Sequence, residues 1–189
     1  MKRIIVITGT PGVGKSTIVK KLGKLLSGAS TYSTTDLVNK HRLYRGKDKF
    51  GTKLVEMAAL RREIDKLIKS DSSKLIIFEG HLLCDIKISR ATAIVLREHL
   101  GTLKKRLAKR GYQIQKMRDN LVSEATDYCG EKCAQNYPRF YEVMASDKKV
   151  IKELLAIING KAGVITSKRR INLLEELVPI IRSKRSLAL

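Results

Sequence analysis

Gly9-Thr10-Pro11-Gly12-Val13-Gly14-Lys15-Ser16 follows directly on the apolar run Ile4-Ile5-Val6-Ile7. It matches the phosphate-loop pattern G-x-x-x-x-G-K-[ST] at every fixed position. A β-branched strand comes before it, and a helical pattern of Ile18, Val19, Leu22, Leu25 and Leu26 comes after it. Glycines such as Gly12 and Gly14 let the backbone wrap a phosphate so that successive N–H groups converge on its oxygens. The helix opening at Lys15 turns its positive end to the same point. In this arrangement Lys15 reaches the β- and γ-phosphates, and the Ser16 hydroxyl holds Mg²⁺.

Outward from the loop, the run over residues 3–8 reads as a strand buried on both faces, as in a parallel sheet. Further strands are expected at 30–33, 74–78, 91–96 and 140–144. Helices are expected at 15–26, from Asp36 with Thr34 or Thr35 as N-cap, and at 54–69, 102–109, 113–136, 147–158 and 167–182. Residues 40–53 carry Lys40, His41, Arg42, Arg45, Lys47, Lys49 and Lys53 with little pattern, and read as a mobile flap. Strands alternating with helices predict an α/β domain with a mostly parallel sheet. Ligands then lie outside the carboxyl ends of the strands. Glu79-Gly80-His81 and Arg97-Glu98-His99 both fall at such ends.

With 189 residues the chain suffices for one domain with a proper core. Hydrophobic residues make up 43%, with no Trp and 5% aromatics, so the core is expected to be Ile, Leu and Val. No apolar run approaches the roughly 18 residues needed to span a membrane. The chain enters a strand at once, so no signal peptide is expected, and a soluble cytoplasmic protein is the natural reading. Cys84, Cys129 and Cys133 are an odd number, and reduced thiols are expected. Cys129 and Cys133 lie one helical turn apart but lack two further ligands at suitable spacing for a metal.

Charge is the unusual quantity. Lys and Arg total 39 against 18 acids, a net +21. A field of this size draws polyanions and points to nucleic acid or a ribonucleoprotein. The alternative is a solvated, lysine-rich surface, although hyperthermophile surfaces are enriched in Lys and Glu together.

A phosphate loop does not say what becomes of the nucleotide. The chain is too short for most phosphate-loop motors and transporters. It lacks the Asn-Lys-x-Asp of GTPases, since Asn39-Lys40 is followed by His41. Arg106 and Arg110 stand four apart on one helix face, where two guanidinium forks can clamp a transferring phosphoryl or simply face water.

Taken together, Thr8 to Ser16, Thr35-Asp36-Leu37, Phe78-Glu79-Gly80-His81, Val95-Leu96-Arg97 and Arg106-Leu107-x-x-Arg110-Gly111-Tyr112 occur in an order that resembles one family. It is the adenylate-kinase-like NTPases of archaea, with their eukaryotic counterpart, the nuclear adenylate kinase and coilin-interacting ATPase. The likeness spans about residues 1–158. It implies a three-layer P-loop NTPase fold with a five-stranded parallel sheet, a monophosphate-binding part at about 32–55 and a short lid at about 109–119. The basic C-terminal extension, 159–189, lies outside it and is expected to pack on the same domain as a helix, with RNA contact open. The resemblance also implies ATP·Mg and AMP as substrates, and ATPase activity. It further implies a role in small-ribosomal-subunit maturation with a ribosomal protein or rRNA as partner, without a membrane. The location would be cytoplasmic, or nuclear in a eukaryote, and a monomer is the favoured state.

Residue by residue, the likeness gives the ATP phosphates to Gly12, Gly14, Lys15, Ser16 and Thr17. Glu79 takes the place of the acid that orders Mg²⁺ or its water, and His81 that of a histidine linked to hydrolysis. Read alone, His81 is as well explained as a satisfied polar residue at a strand end. Arg110 matches a lid arginine over the ATP phosphates, and Lys148 is placed near the adenine. The sequence departs from the pattern at Asn39, where family members often have arginine. Asp36, Lys40 and Arg42 are left to serve the AMP side. Three readings follow: an adenylate kinase with side hydrolysis, an ATP-dependent assembly factor for a ribosomal protein or rRNA, and a kinase for another small acceptor.

Overall fold

The computed structural model describes residues 2–161 and 171–182. Its centre is a five-stranded parallel sheet of β1 (Arg3–Thr8), β2 (Ala29–Ser33), β5 (Leu75–Glu79), β6 (Thr92–Arg97) and β7 (Arg139–Met144). The strands lie in the order β2-β5-β1-β6-β7. Successive side chains of a strand point to opposite faces, and the sheet sorts its apolar residues accordingly. Ile5, Ile7, Ile77, Ile94 and Leu96 face α1 (Lys15–Leu25), α4 (Leu100–Lys109), α5 (Ile114–Ala125) and α7 (Val150–Ile158). Ile4, Val6, Ile76, Phe78, Ala93 and Val95 face α2 (Thr34–Lys40), α3 (Met57–Ser70) and α6 (Tyr128–Asn136). This is the three-layer arrangement expected of the alternating pattern. Burying one such side chain contributes about 1.5–3 kcal/mol.

Local departures from the sequence reading have identifiable causes. The N-cap of α2 is Ser33, not a threonine: its hydroxyl accepts from Asp36 N at 3.3 Å, so the helix starts at Thr34. The basic segment expected as an irregular flap contains an antiparallel hairpin, β3 (Tyr44–Lys47) and β4 (Lys53–Val55). Leu43, Tyr44 and Val55 pack on the α2–α3 side of the core, and the Lys53 ammonium lies 4.3 Å from the centre of the Tyr44 ring. Asp48 Oδ1 closes its turn by accepting from Phe50 N and Thr52 N, each at 2.8 Å.

The helix expected over 113–136 is broken at Asp127. Its left-handed backbone (φ 57°) turns the chain, and its carboxylate caps α6 by accepting from Gly130 N at 3.2 Å. The last helix, α8, runs Leu174–Arg182. Ile171, expected on its apolar stripe, precedes the helix outside any regular element; Ser167, Lys168, Arg169, Arg170, Lys184 and Arg185 lie outside the described residues. Leu173, Leu177 and Ile180 pack against the α4–α5 side of the core. Glu176 of α8 serves as a cap for α4, accepting from Leu100 N at 2.8 Å and meeting His99 Nδ1 at 2.6 Å. Among the described residues no helix is long and apolar enough to cross a membrane.

Candidate functional site

The turn from β1 into α1 builds the floor of the site. Gly9 has φ 134°, and a Cβ there would run into the Leu96 carbonyl of the neighbouring strand, so only glycine fits. Lys15 folds back on the loop: its Nζ donates to Gly9 O at 2.7 Å and to Thr10 O at 3.0 Å. Burial lowers its pKa, with Glu79 and Glu124 among the neighbouring groups that oppose the shift. A phosphate oxygen offers that ammonium a better partner than two carbonyls.

Ser16 Oγ donates to Glu79 Oε1 at 3.0 Å. The pair presents a hydroxyl and a carboxylate, the hard oxygens Mg²⁺ prefers, and fits that ion. Gly80 separates Glu79 from His81, and a Cβ there would fall inside the Thr34 hydroxyl of α2. The strand end and α2 are thereby held together. His81 begins a 3₁₀ turn, His81–Asp85. Its ring borders the cavity, where surrounding protein, then the Lys15 charge and, more weakly, the Lys116 charge hold its pKa down to about 4, against the pull of Asp85. The imidazole is neutral at pH 7.

Two clefts meet at this histidine. The first, about 560 Å³, is lined on the loop side by Gly12, Lys15, Ser16 and Glu79, and on the far side by Arg110 and Lys116. The second, about 450 Å³, is lined by Val38, Asn39, Lys53, Leu54 and Met57, among others. Thr35, Thr52 and His81 belong to both.

The structure thus brings Gly12, Gly14, Lys15, Ser16, Thr17, Glu79, His81 and Arg110 to one cavity. It does not bring Arg106 there. Arg106 Nη1 donates to Val13 O at 3.0 Å and pairs with the buried Glu98 Oε2 at 2.8 Å. The two arginines part because α4 ends at Lys109, and Arg110 as its C-cap leaves the helical path. Lys148 is exposed in the turn after β7 and lines neither cleft. Asp36, Lys40 and Arg42 are also exposed and outside the second cleft. On α2 the cleft-facing residues are Thr34 with Val38 and Thr35 with Asn39, each pair four apart; 36 and 40 fall on the adjoining face. Arg42 lies beyond the helix end with φ 51°.

Sequence reasoning passed over the residues behind the loop. Glu124 of α5, 1% exposed, accepts from Thr10 Oγ1 at 2.5 Å, Glu98 N at 2.9 Å and Arg97 Nε at 3.1 Å. Arg97, also 1% exposed, donates further to Asp127 Oδ1 at 2.5 Å, Glu142 Oε2 at 3.4 Å and the Ile171 carbonyl at 3.3 Å. Glu142 Oε2 in turn accepts from Ile171 N at 2.7 Å. Lys116 was passed over too. The available signal was the spacing 116, 120, 124, one face of α5 carrying Lys, Asn and Glu.

Residues 5–127 match the protein family described as AAA domain. Proteins named "Putative adenylate kinase" are similar over most of the chain. That of Methanocaldococcus jannaschii is 33% identical, covering 83% of this chain and 86% of its own. That of Methanococcus maripaludis is 34% identical over 84% and 90%, and that of Pyrococcus furiosus 31% over 95% and 97%. Among solved structures, shikimate kinase from Bacteroides thetaiotaomicron superposes with a TM-score of 0.50 at 15% identity, over 84% of this chain and 98% of that one. The Deinococcus radiodurans tunicamycin resistance protein gives 0.54 at 13%, over 89% and 100%. Likenesses this distant in sequence speak for the fold.

Proposed function

The chain belongs to the family of archaeal adenylate-kinase-like proteins and matches the AAA domain family over residues 5–127, and from that premise we propose that it transfers the γ-phosphoryl group of ATP to AMP, giving two ADP. The observation that carries this reading is the meeting of the phosphate-loop cavity with a second cleft at His81, Thr35 and Thr52. A donor and an acceptor can then face each other across one point. An acceptor phosphate oxygen bonds to Pγ while the Pγ–O bond to ADP breaks, and the electron pair stays on the β-phosphate oxygen. No covalent enzyme intermediate is involved.

Catalysis on this reading is positioning plus charge neutralisation. Lys15 leaves its carbonyls for the β- and γ-phosphates, and Arg110 faces them from the end of α4. Ser16 and Glu79 would hold Mg²⁺, which supplies further neutralisation of the phosphate charge when bound. His81, being neutral, can orient a water but does not compete for the phosphate as a cation. When the second cleft is empty, that water takes the phosphoryl group, which gives the side hydrolysis. The test is incubation with ATP·Mg with and without AMP: two ADP formed per AMP consumed supports transfer, whereas hydrolysis indifferent to AMP refutes it.

A second reading is favoured by the net charge of +21. It takes the protein as a cytoplasmic assembly factor of the small ribosomal subunit, with hydrolysis releasing it from rRNA or a ribosomal protein. Binding to small-subunit rRNA that falls steeply with salt, together with hydrolysis altered by that RNA, supports it; ATP turnover unchanged by either partner refutes it.

A further inference from the structure

We propose that Lys116 of α5 binds the phosphate of the acceptor where the two clefts join, an assignment that rests on the phosphoryl-transfer reading above. The acceptor cleft has a lining short of free cations. Thr34, Val38, Asn39, Leu54 and Met57 are neutral, and the lining holds one lysine, Lys53, which donates to Asn39 Oδ1 at 2.6 Å with its ammonium over the Tyr44 ring. Lys40 and Arg42 do not line the cleft, and Arg106 is paired with Glu98. A monophosphate dianion seated there needs a second counter-charge beside Lys53.

Lys116 stands at the junction from the opposite wall. Its side chain is half-buried and lines the phosphate-loop cavity together with Lys15 and Arg110. Its Nζ donates to Thr52 Oγ1 at 2.5 Å, and Thr52 lines both clefts. The same ammonium lies 5.1 Å from the Tyr112 ring centre, and its field reaches both His81 and the Asp48 carboxylate at the hairpin turn. Among the described residues no carboxylate forms an ion pair with it. A half-buried ammonium satisfied by one neutral hydroxyl gains a much stronger hydrogen bond from a phosphate dianion. A compact point charge with three donors can also turn from hydroxyl to phosphate without rebuilding the site. Because Lys116 sits on α5 and Thr52 on the hairpin, an acceptor phosphate between them would be held from both walls.

The test uses the full chain, with ATP·Mg and with AMP or adenosine as probes. Lys116→Met should weaken AMP binding at least tenfold while adenosine, which lacks the phosphate, loses less than twofold. The ratio of AMP phosphorylation to ATP hydrolysis should also fall at least tenfold, and Lys116→Arg should recover most of both. The proposal is overturned if AMP and adenosine weaken equally, since the lysine would then act only by holding the hairpin. An unchanged transfer-to-hydrolysis ratio overturns it as well. If the unsubstituted protein phosphorylates no nucleoside monophosphate, the transfer reading itself fails, and that outcome is separable from a failure of Lys116 alone.

Discussion

Replacing Glu124 by Gln isolates what the buried acid behind the phosphate loop does. The carboxylate accepts three hydrogen bonds, from Thr10 Oγ1 at 2.5 Å, Glu98 N at 2.9 Å and Arg97 Nε at 3.1 Å. Glutamine can reproduce the geometry only by pointing its amide nitrogen at Thr10 and letting that hydroxyl reverse to accept. The charge is lost in every orientation. Hydrogen bonds to a charged group are worth roughly 1.5–3 kcal/mol against about 1 kcal/mol for neutral ones. The Arg97 bond keeps a charged donor, so chiefly two bonds weaken, each by about 1 kcal/mol or slightly more, for a total of about 2–3 kcal/mol. The roughly 3–5 kcal/mol expected for an abandoned buried charge is not reached, because Arg97 keeps Asp127 and Glu142.

For a chain of 189 residues this corresponds to a fall in Tm of roughly 4–12 °C. Thr10→Val removes only the tether to the loop and should cost about 1 kcal/mol. Urea unfolding of the two single variants and the double variant decides whether Glu124 acts through Thr10. The double variant should be less destabilised than the sum of the singles by about 1 kcal/mol, because the shared bond is lost once. Both single variants should also raise the KM for ATP, since each frees the same turn of the loop. Additive losses, or a Tm for Glu124→Gln within a degree or two of the parent, would refute the reasoning.

Lys15→Ala should reduce both transfer and hydrolysis at least ~100-fold, because its charge serves either acceptor; full turnover in a coupled ADP assay removes the site assignment. His81→Ala should slow hydrolysis more than transfer, and equal losses in the two assays would count against a water-orienting role. With its pKa held near 4, His81 should also contribute no titration step to a pH–rate profile between about 6 and 8. Burial, with Glu142 adding and Arg97 opposing, raises the Asp127 pKa to about 7. The folded protein therefore holds a proton that the unfolded chain releases near pH 4. The resulting stability is present below pH 4 and is lost as pH rises through about 7. Asp127→Asn, which tolerates the left-handed backbone, should flatten the change in urea midpoint between pH 5 and 8; an unaltered slope would assign that dependence elsewhere.

The fold was legible because its signals are local. A β-branched run, a glycine loop and a 3.6-residue apolar stripe lie consecutively in Ile4 to Leu26, and the later strands repeat the same grammar. The donor half of the site was legible for the same reason, since Lys15 and Ser16 are placed by the loop itself and Glu79 and His81 by a strand end. The acceptor half was not. Which face of α2 meets the cleft depends on where the helix starts, and the capping by Ser33 fixes Thr35 and Asn39 inward while leaving Asp36 and Lys40 out. The hairpin at 44–55 was hidden because three lysines and an arginine mask the alternation of Tyr44 and Val55. Glu124 and Lys116 act on residues 114 and 64 positions away in sequence, and nothing local records such partners.

The basic residues around the loop divide by what stands next to them, and the division carries functional meaning. Arg106 is read from the sequence as part of the phosphoryl clamp and Arg97 lies in a segment that carries the resemblance, yet both are paired with acids: Arg97 with Glu124, Asp127 and Glu142, Arg106 with the fully buried Glu98. Both guanidiniums are thus held by carboxylates, and both tie into the loop, Arg106 through the Val13 carbonyl and Arg97 through Glu124 and Thr10. Lys15, Arg110 and Lys116, in contrast, have no ion pair with a carboxylate among the described residues, and all three line the same cavity. The same cavity is also lined by Asp48, Glu79, Asp85 and Asp119. An anion entering it meets these three cations, none of them tied to a carboxylate by an ion pair among the described residues, in a lining that carries both signs of charge. A guanidinium count alone would have placed the phosphoryl clamp between Arg106 and Arg110. On the proposed reading, the absence of ion pairs among the described residues makes Lys15, Arg110 and Lys116, which line one cavity, the expected clamp.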